Sequence, residues 1–82
     1  MADSEDLEVK TNDMGLATYL NLKGFKYRAH WSDNTHWWVF EAAPGITGWY
    51  DKWLGYEATV EPREYNRVFG KLKKELVLSR PE

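Results

Sequence analysis

The hydrophobic pattern changes period at residue 25, and that change limits the folds open to the chain. Phe25, Tyr27, Ala29 and Trp31 alternate with Lys26, Arg28 and His30, which is the two-residue period of a half-buried strand. Ser32-Asp33-Asn34-Thr35 reads as a turn. His36, Trp37, Trp38, Val39, Phe40 and Glu41 then form a second strand, rich in aromatic and β-branched side chains. Two strands around so short a loop make an antiparallel hairpin. Pairing Trp31 with His36 sets His30 opposite Trp37, Ala29 opposite Trp38 and Tyr27 opposite Phe40. One face then carries Phe25, Tyr27, Ala29, Trp31, His36, Trp38 and Phe40, and the other Lys26, Arg28, His30, Trp37, Val39 and Glu41. A slip of one residue would exchange the faces of the second strand. The first register is preferred because it gathers the large rings on one side.

Helical periodicity flanks the hairpin. Thr11, Asn12 and Asp13 can each cap a helix that carries Leu16, Ala17 and Leu20 at core spacing. Gly24, after Lys23, suits the left-handed residue that closes such a helix. Gly15 either weakens the first turn or lets something approach closely. Ala42-Ala43-Pro44-Gly45 breaks the second strand, with Pro44 just inside a helix start, and Ile46, Trp49, Tyr50 and Trp53 recur at helical spacing up to Gly55. Residues 56–61 read as extended, and Ala58, Thr59 and Val60 could add a third strand to the hairpin edge. Pro62 opens the last helix, whose apolar stripe is Tyr65, Phe69, Leu72 and Leu76, with Arg63, Arg67 and Lys74 opposite. The expected fold is α+β, a small antiparallel sheet packed by three helices in the order α-β-β-α-(β)-α. Its core is expected to hold Leu16, Leu20, Phe25, Tyr27, Trp38, Phe40, Tyr65, Phe69, Leu72 and Leu76.

At 82 residues the chain holds one domain. Residues 1–10 read as an acidic flexible arm and 11–80 as a single α+β domain. The net charge of −2 is unevenly placed, with acids gathered before residue 14 and bases along the last helix. That basic face is an ordinary solvated helix surface or a contact for an acidic partner. The chain has no cysteine, so it has no disulfide framework, thiolate metal site or cysteine nucleophile. No apolar run approaches the roughly 20 residues of a membrane span, and the N-terminus is acidic where a signal peptide is basic. A cytoplasmic setting is expected, with no membrane partner.

Few residues offer chemistry. His30 and His36 fall on opposite faces of the hairpin, which argues against a metal site, and no serine lies in a nucleophile elbow or beside a histidine. Asp51 and Glu57 flank Gly55 as solvated charges, and no glycine-rich phosphate loop is present. The expectation is no enzyme, no cofactor and no metal. What remains is recognition. Trp37 shares a face with Lys26, Arg28 and His30, and rings beside cations can anchor a protein partner or stack the bases of a single strand. The alternative is that the helix around Trp49, Tyr50 and Trp53 folds back over Trp37. Arg63, Arg67 and Lys74 form a second candidate surface.

Thr11-Asn12-Asp13, Leu16-Ala17-Thr18-Tyr19-Leu20, Lys23-Gly24-Phe25 and Val39-Phe40-Glu41 resemble a family of short uncharacterised proteins of phages and prophages. Gly55, Val60 and the helix from Pro62 resemble the end of that pattern, so the likeness spans about residues 11–76. Trp31, Trp37 and Trp38 are heavier than the pattern. The resemblance implies an order of elements and a phage context and transfers no site. The reading is a non-catalytic phage or prophage accessory protein that binds another protein, one option being a host enzyme or defence complex that it inhibits or redirects. The alternative is a small single-stranded nucleic-acid-binding protein. A homodimer is compatible with either.

Overall fold

A computed structural model of the chain describes residues 6–80. Six elements follow one another: strand β1 (Val9–Thr11), helix α1 (Met14–Leu22), strands β2 (Tyr27–Ser32) and β3 (Thr35–Phe40), and helices α2 (Ile46–Leu54) and α3 (Pro62–Leu78). The fold is α+β, three helices with a three-stranded antiparallel sheet.

The hairpin has the expected register, Trp31 opposite His36 and Tyr27 opposite Phe40. Asp33 and Asn34 both take positive φ, 52° and 66°, which matches the right-handed twist of the strands they join. The third strand is not where the sequence placed it. Residues 56–61 form no strand, and the free side of β3 is taken by β1, with Val9 opposite Phe40, Lys10 opposite Val39 and Thr11 opposite Trp38. The sheet order is β1-β3-β2, so β3 is central. The element order is therefore β-α-β-β-α-α, and the fold begins within the stretch read as a flexible arm. Residues 1–5 of that arm lie outside the described residues.

From residue 6 the chain is held. Both carboxylate oxygens of Asp6 accept backbone hydrogen bonds at the start of α2, from Gly45 N at 3.1 Å and Thr47 N at 3.0 Å. Leu7 N donates to Thr47 Oγ1. Gly45 is the N-cap of α2, and Pro44 precedes that cap rather than standing just inside the helix. Having no side chain of its own to cap the helix, Gly45 leaves its amides to Asp6, about forty residues away.

α1 is the hub of the core. Asp13 caps it, Gly24 closes it at φ 98°, and Leu16, Ala17, Thr18, Tyr19 and Leu20 are all buried. A helix buried on so many sides must have neighbours all around it. Tyr19 meets Trp49 and Trp53 of α2 at ring-centroid distances of 6.3 and 5.4 Å, while α3 adds Val68 and Leu72. The inner face of the sheet adds Val9, Trp38 and Phe40. Of the expected core, Leu16, Leu20, Trp38, Phe40 and Leu72 are buried, and Phe25, Tyr27, Tyr65, Phe69 and Leu76 are half-buried at its rim. Tyr27 reaches Glu75 of α3 through its hydroxyl, and Trp31 Nε1 donates to Ser79 Oγ, so α3 lies along the inner side of β2.

Candidate functional site

With α1 and α3 on the inner face and α2 stacked on α1, no element among the described residues covers the outer face of the sheet. Arg28 and His30 of β2, Trp37 and Val39 of β3 and Lys10 of β1 occupy it, with Glu8 and Glu41 at one end. Trp37 is half-buried at its centre, and Lys10 Nζ sits 4.9 Å from the ring centroid. Among the described residues no helix lies over this ring, because Trp49 and Trp53 of α2 pack on Tyr19 instead. Val39 is only 3% exposed even here, since Arg28 and Lys10 stand directly opposite it on the two flanking strands.

Arg28 is already engaged. Its guanidinium lies 2.9 Å from the carboxylate of Glu41 and 3.8 Å from that of Glu8. All three side chains are more than half exposed, so these pairs orient Arg28 and add about 0–1 kcal/mol each. Lys26 precedes β2 and, with Phe25, Arg28, Val39 and Glu41, lines an open cleft of about 460 Å³ at the base of the hairpin. Lys26, Arg28, His30 and Trp37 are thus brought to one face.

Arg63, Arg67 and Lys74 are not. They project from the solvent side of α3, across the molecule from the open sheet face, and Arg67 is paired with Glu64 at 3.1 Å. Sequence reasoning missed Lys10 and Glu8. Val9-Lys10-Thr11 sets two β-branched residues around a charge, a pattern too short to single it out as a strand; in the structure its burial alternates buried, exposed, buried.

The two histidines separate as the register requires. His30 is exposed on the outer face, and His36 is buried between Trp31 and Trp38 at centroid distances of 5.0 and 4.5 Å. Burial lowers the proton affinity of His36 below the ordinary histidine value, His30 adds to that, and Glu75 opposes it. Among the described residues no cluster of three or more His, Asp or Glu side chains could hold a metal ion, and no helix is long and apolar enough to cross a membrane.

No protein-family model matches the chain, and no curated protein or solved structure matches it.

Proposed function

We propose that the chain is a non-catalytic binding protein that docks a partner protein on the open face of its sheet. The observation behind this reading is the position of Trp37, a large ring on the central strand of a face that no helix among the described residues covers. Aromatic anchors ringed by polar groups carry most of the energy of protein interfaces. Lys10 over Trp37, with Lys26 further along the hairpin, favours a partner that offers carboxylates beside an apolar side chain. The likeness of residues 11–76 to short phage proteins supports a phage or prophage accessory role, exerted in the host cytoplasm on an enzyme or defence complex.

A second reading has Trp37 stacking a base while Lys10 and Lys26 meet phosphates. Glu8 and Glu41 favour the first reading, because they neutralise Arg28 and repel phosphates from the same face.

Co-purification from the host, compared between the parent and a Trp37→Ala, Lys10→Ala variant, tests the choice. The variant should melt close to the parent and lose the partner, with a loss at Trp37 of about 2 kcal/mol or more. A triple alanine variant at Arg63, Arg67 and Lys74 should keep it. The reverse pattern moves the site to α3. Tight binding of a single-stranded oligonucleotide that weakens steeply with log salt concentration selects the nucleic-acid reading.

A further inference from the structure

The end of α2 holds an aromatic residue in a backbone state that favours glycine. Tyr56 N donates to Trp53 O at 3.2 Å and Glu57 N to Lys52 O at 2.8 Å, the pair of bonds that closes a helix around a left-handed residue. That residue is Tyr56, at φ 60°, although Gly55 lies directly before it at φ −87°. A Cβ is sterically disfavoured there. The Tyr56 side chain is also 97% exposed, so the fold gains no burial from it.

Beside Tyr56 lies a cleft of about 440 Å³, lined by Asp13, Trp53, Tyr56 and Ala58. Asp13 Oδ1 and Trp53 Cζ2 each come within 3.2 Å of the point where a Cβ on Gly15 would stand, so carboxylate and indole edge converge over that glycine. Both cap bonds of Asp13, from Gly15 N and Leu16 N, end on Oδ1, and among the described residues no donor reaches Oδ2.

The neighbouring rings show what such faces take. Lys23 Nζ lies 4.6 Å from the Trp49 centroid and 5.4 Å from that of Tyr19, and Lys10 covers Trp37. Among the described residues no cation lies over Trp53 or Tyr56. The carbonyl end of α2 adds partial negative charge, with Asp51 and Glu57 on either side of Gly55, while Lys52 of the same turn lies towards Trp49, 6.0 Å from its centroid. The opposing amide end of α1 carries only about half a unit of positive charge, less than the full charge of the Asp13 carboxylate.

We propose that this cleft receives an arginine side chain presented by a partner protein. The guanidinium stacks on Trp53 and Tyr56 and donates to Asp13 Oδ2. Arginine suits the site better than lysine because its planar group stacks on a ring and bonds a carboxylate at once. The site uses no residue of the open sheet face, so it stands or falls independently of that surface.

Titration of the full chain with a terminally blocked Gly-Gly-Arg-Gly-Gly peptide tests this, read by NMR at the indole N–H signals. The Trp53 signal should move and saturate, while the Trp37 signal stays still. The same peptide with citrulline, which keeps the shape and removes the charge, should not saturate it. Asp13→Asn keeps a good helix cap and should weaken binding about fivefold. Tyr56→Gly should weaken it as much while raising Tm, an outcome that unfolding cannot produce. Equal binding of the citrulline peptide, unchanged affinity in Asp13→Asn, or a response confined to Trp37 would overturn the proposal. A Trp53 signal that moves with protein concentration alone would overturn it too, since the cleft would then hold Arg63 or Arg67 of a second copy.

Discussion

Two glycines at helical positions separate what packing demands from what it tolerates. A Cβ at Gly15 would stand 3.1 Å from Tyr65 Oη and 3.2 Å from both Asp13 Oδ1 and Trp53 Cζ2. Tyr65 Oη also donates to Gly15 O at 3.2 Å, so the ring of α3 cannot withdraw without losing a hydrogen bond. Gly15→Ala is therefore expected to destabilise the fold by about 1–3 kcal/mol. A Cβ at Gly70, midway along α3, would meet nothing within 4 Å. Gly70→Ala is expected to stabilise by about 0.5–1 kcal/mol, because alanine loses less backbone freedom in a helix. Urea unfolding of both variants checks the pair, and equal signs would contradict the packing at Gly15. From sequence alone Gly15 could be either a weak point or a point of close approach. Only the third dimension, where Tyr65 and Trp53 arrive from other helices, decides for the second.

At the scale of elements, each piece that draws its order from its own neighbours in sequence was legible. The hairpin register follows from the alternation of rings, α1 closes on Gly24, and Pro62 stands first in α3 behind the cap of Glu61. Elements that depend on distant partners were not legible. Residues 56–61 and Val9–Thr11 both contain β-branched residues, and nothing local says which of them lies beside β3. The start of α2 is a similar case, since its amides are capped by Asp6 from the far end of the sequence. Asp6→Ala should lower Tm and loosen α2. Hydrogen bonds from Thr47 N and Gly45 N hold the Asp6 carboxyl below its ordinary value near 3.8, so its contribution is complete above that pH and disappears as the carboxylate protonates. Hydrogen exchange at Thr47 N in the variant is the direct measure, and unchanged protection there would mean that the cap contributes nothing.

The whole molecule measures 46 × 29 × 19 Å, and its thinnest dimension fits one helix layer on one sheet. Even in so thin a body His36 is only 7% exposed, enclosed by Trp31 and Trp38. Its proton affinity is lowered chiefly by burial, so between the folded value and the ordinary 6.5 the unfolded chain holds more protons. The stability it contributes is complete above about pH 6.5 and is lost as pH falls through the folded value. Tm should fall between pH 7 and 5, and His36→Phe, which cannot ionise, should flatten that slope. A parent chain whose Tm is level across this range would contradict the burial.

The sheet order β1-β3-β2 also sets a sequence of events in synthesis. A ribosome releases β1 first, yet among the described residues the one strand it pairs with is Thr35–Phe40, and α1 between them cannot bury its far side until Pro62–Leu78 has emerged. The pairing of the hairpin is local in sequence, and pairing of that kind forms in roughly 1–10 μs. β1 therefore has no strand to pair with until Thr35–Phe40 has emerged, and it can clasp the sheet only from then on.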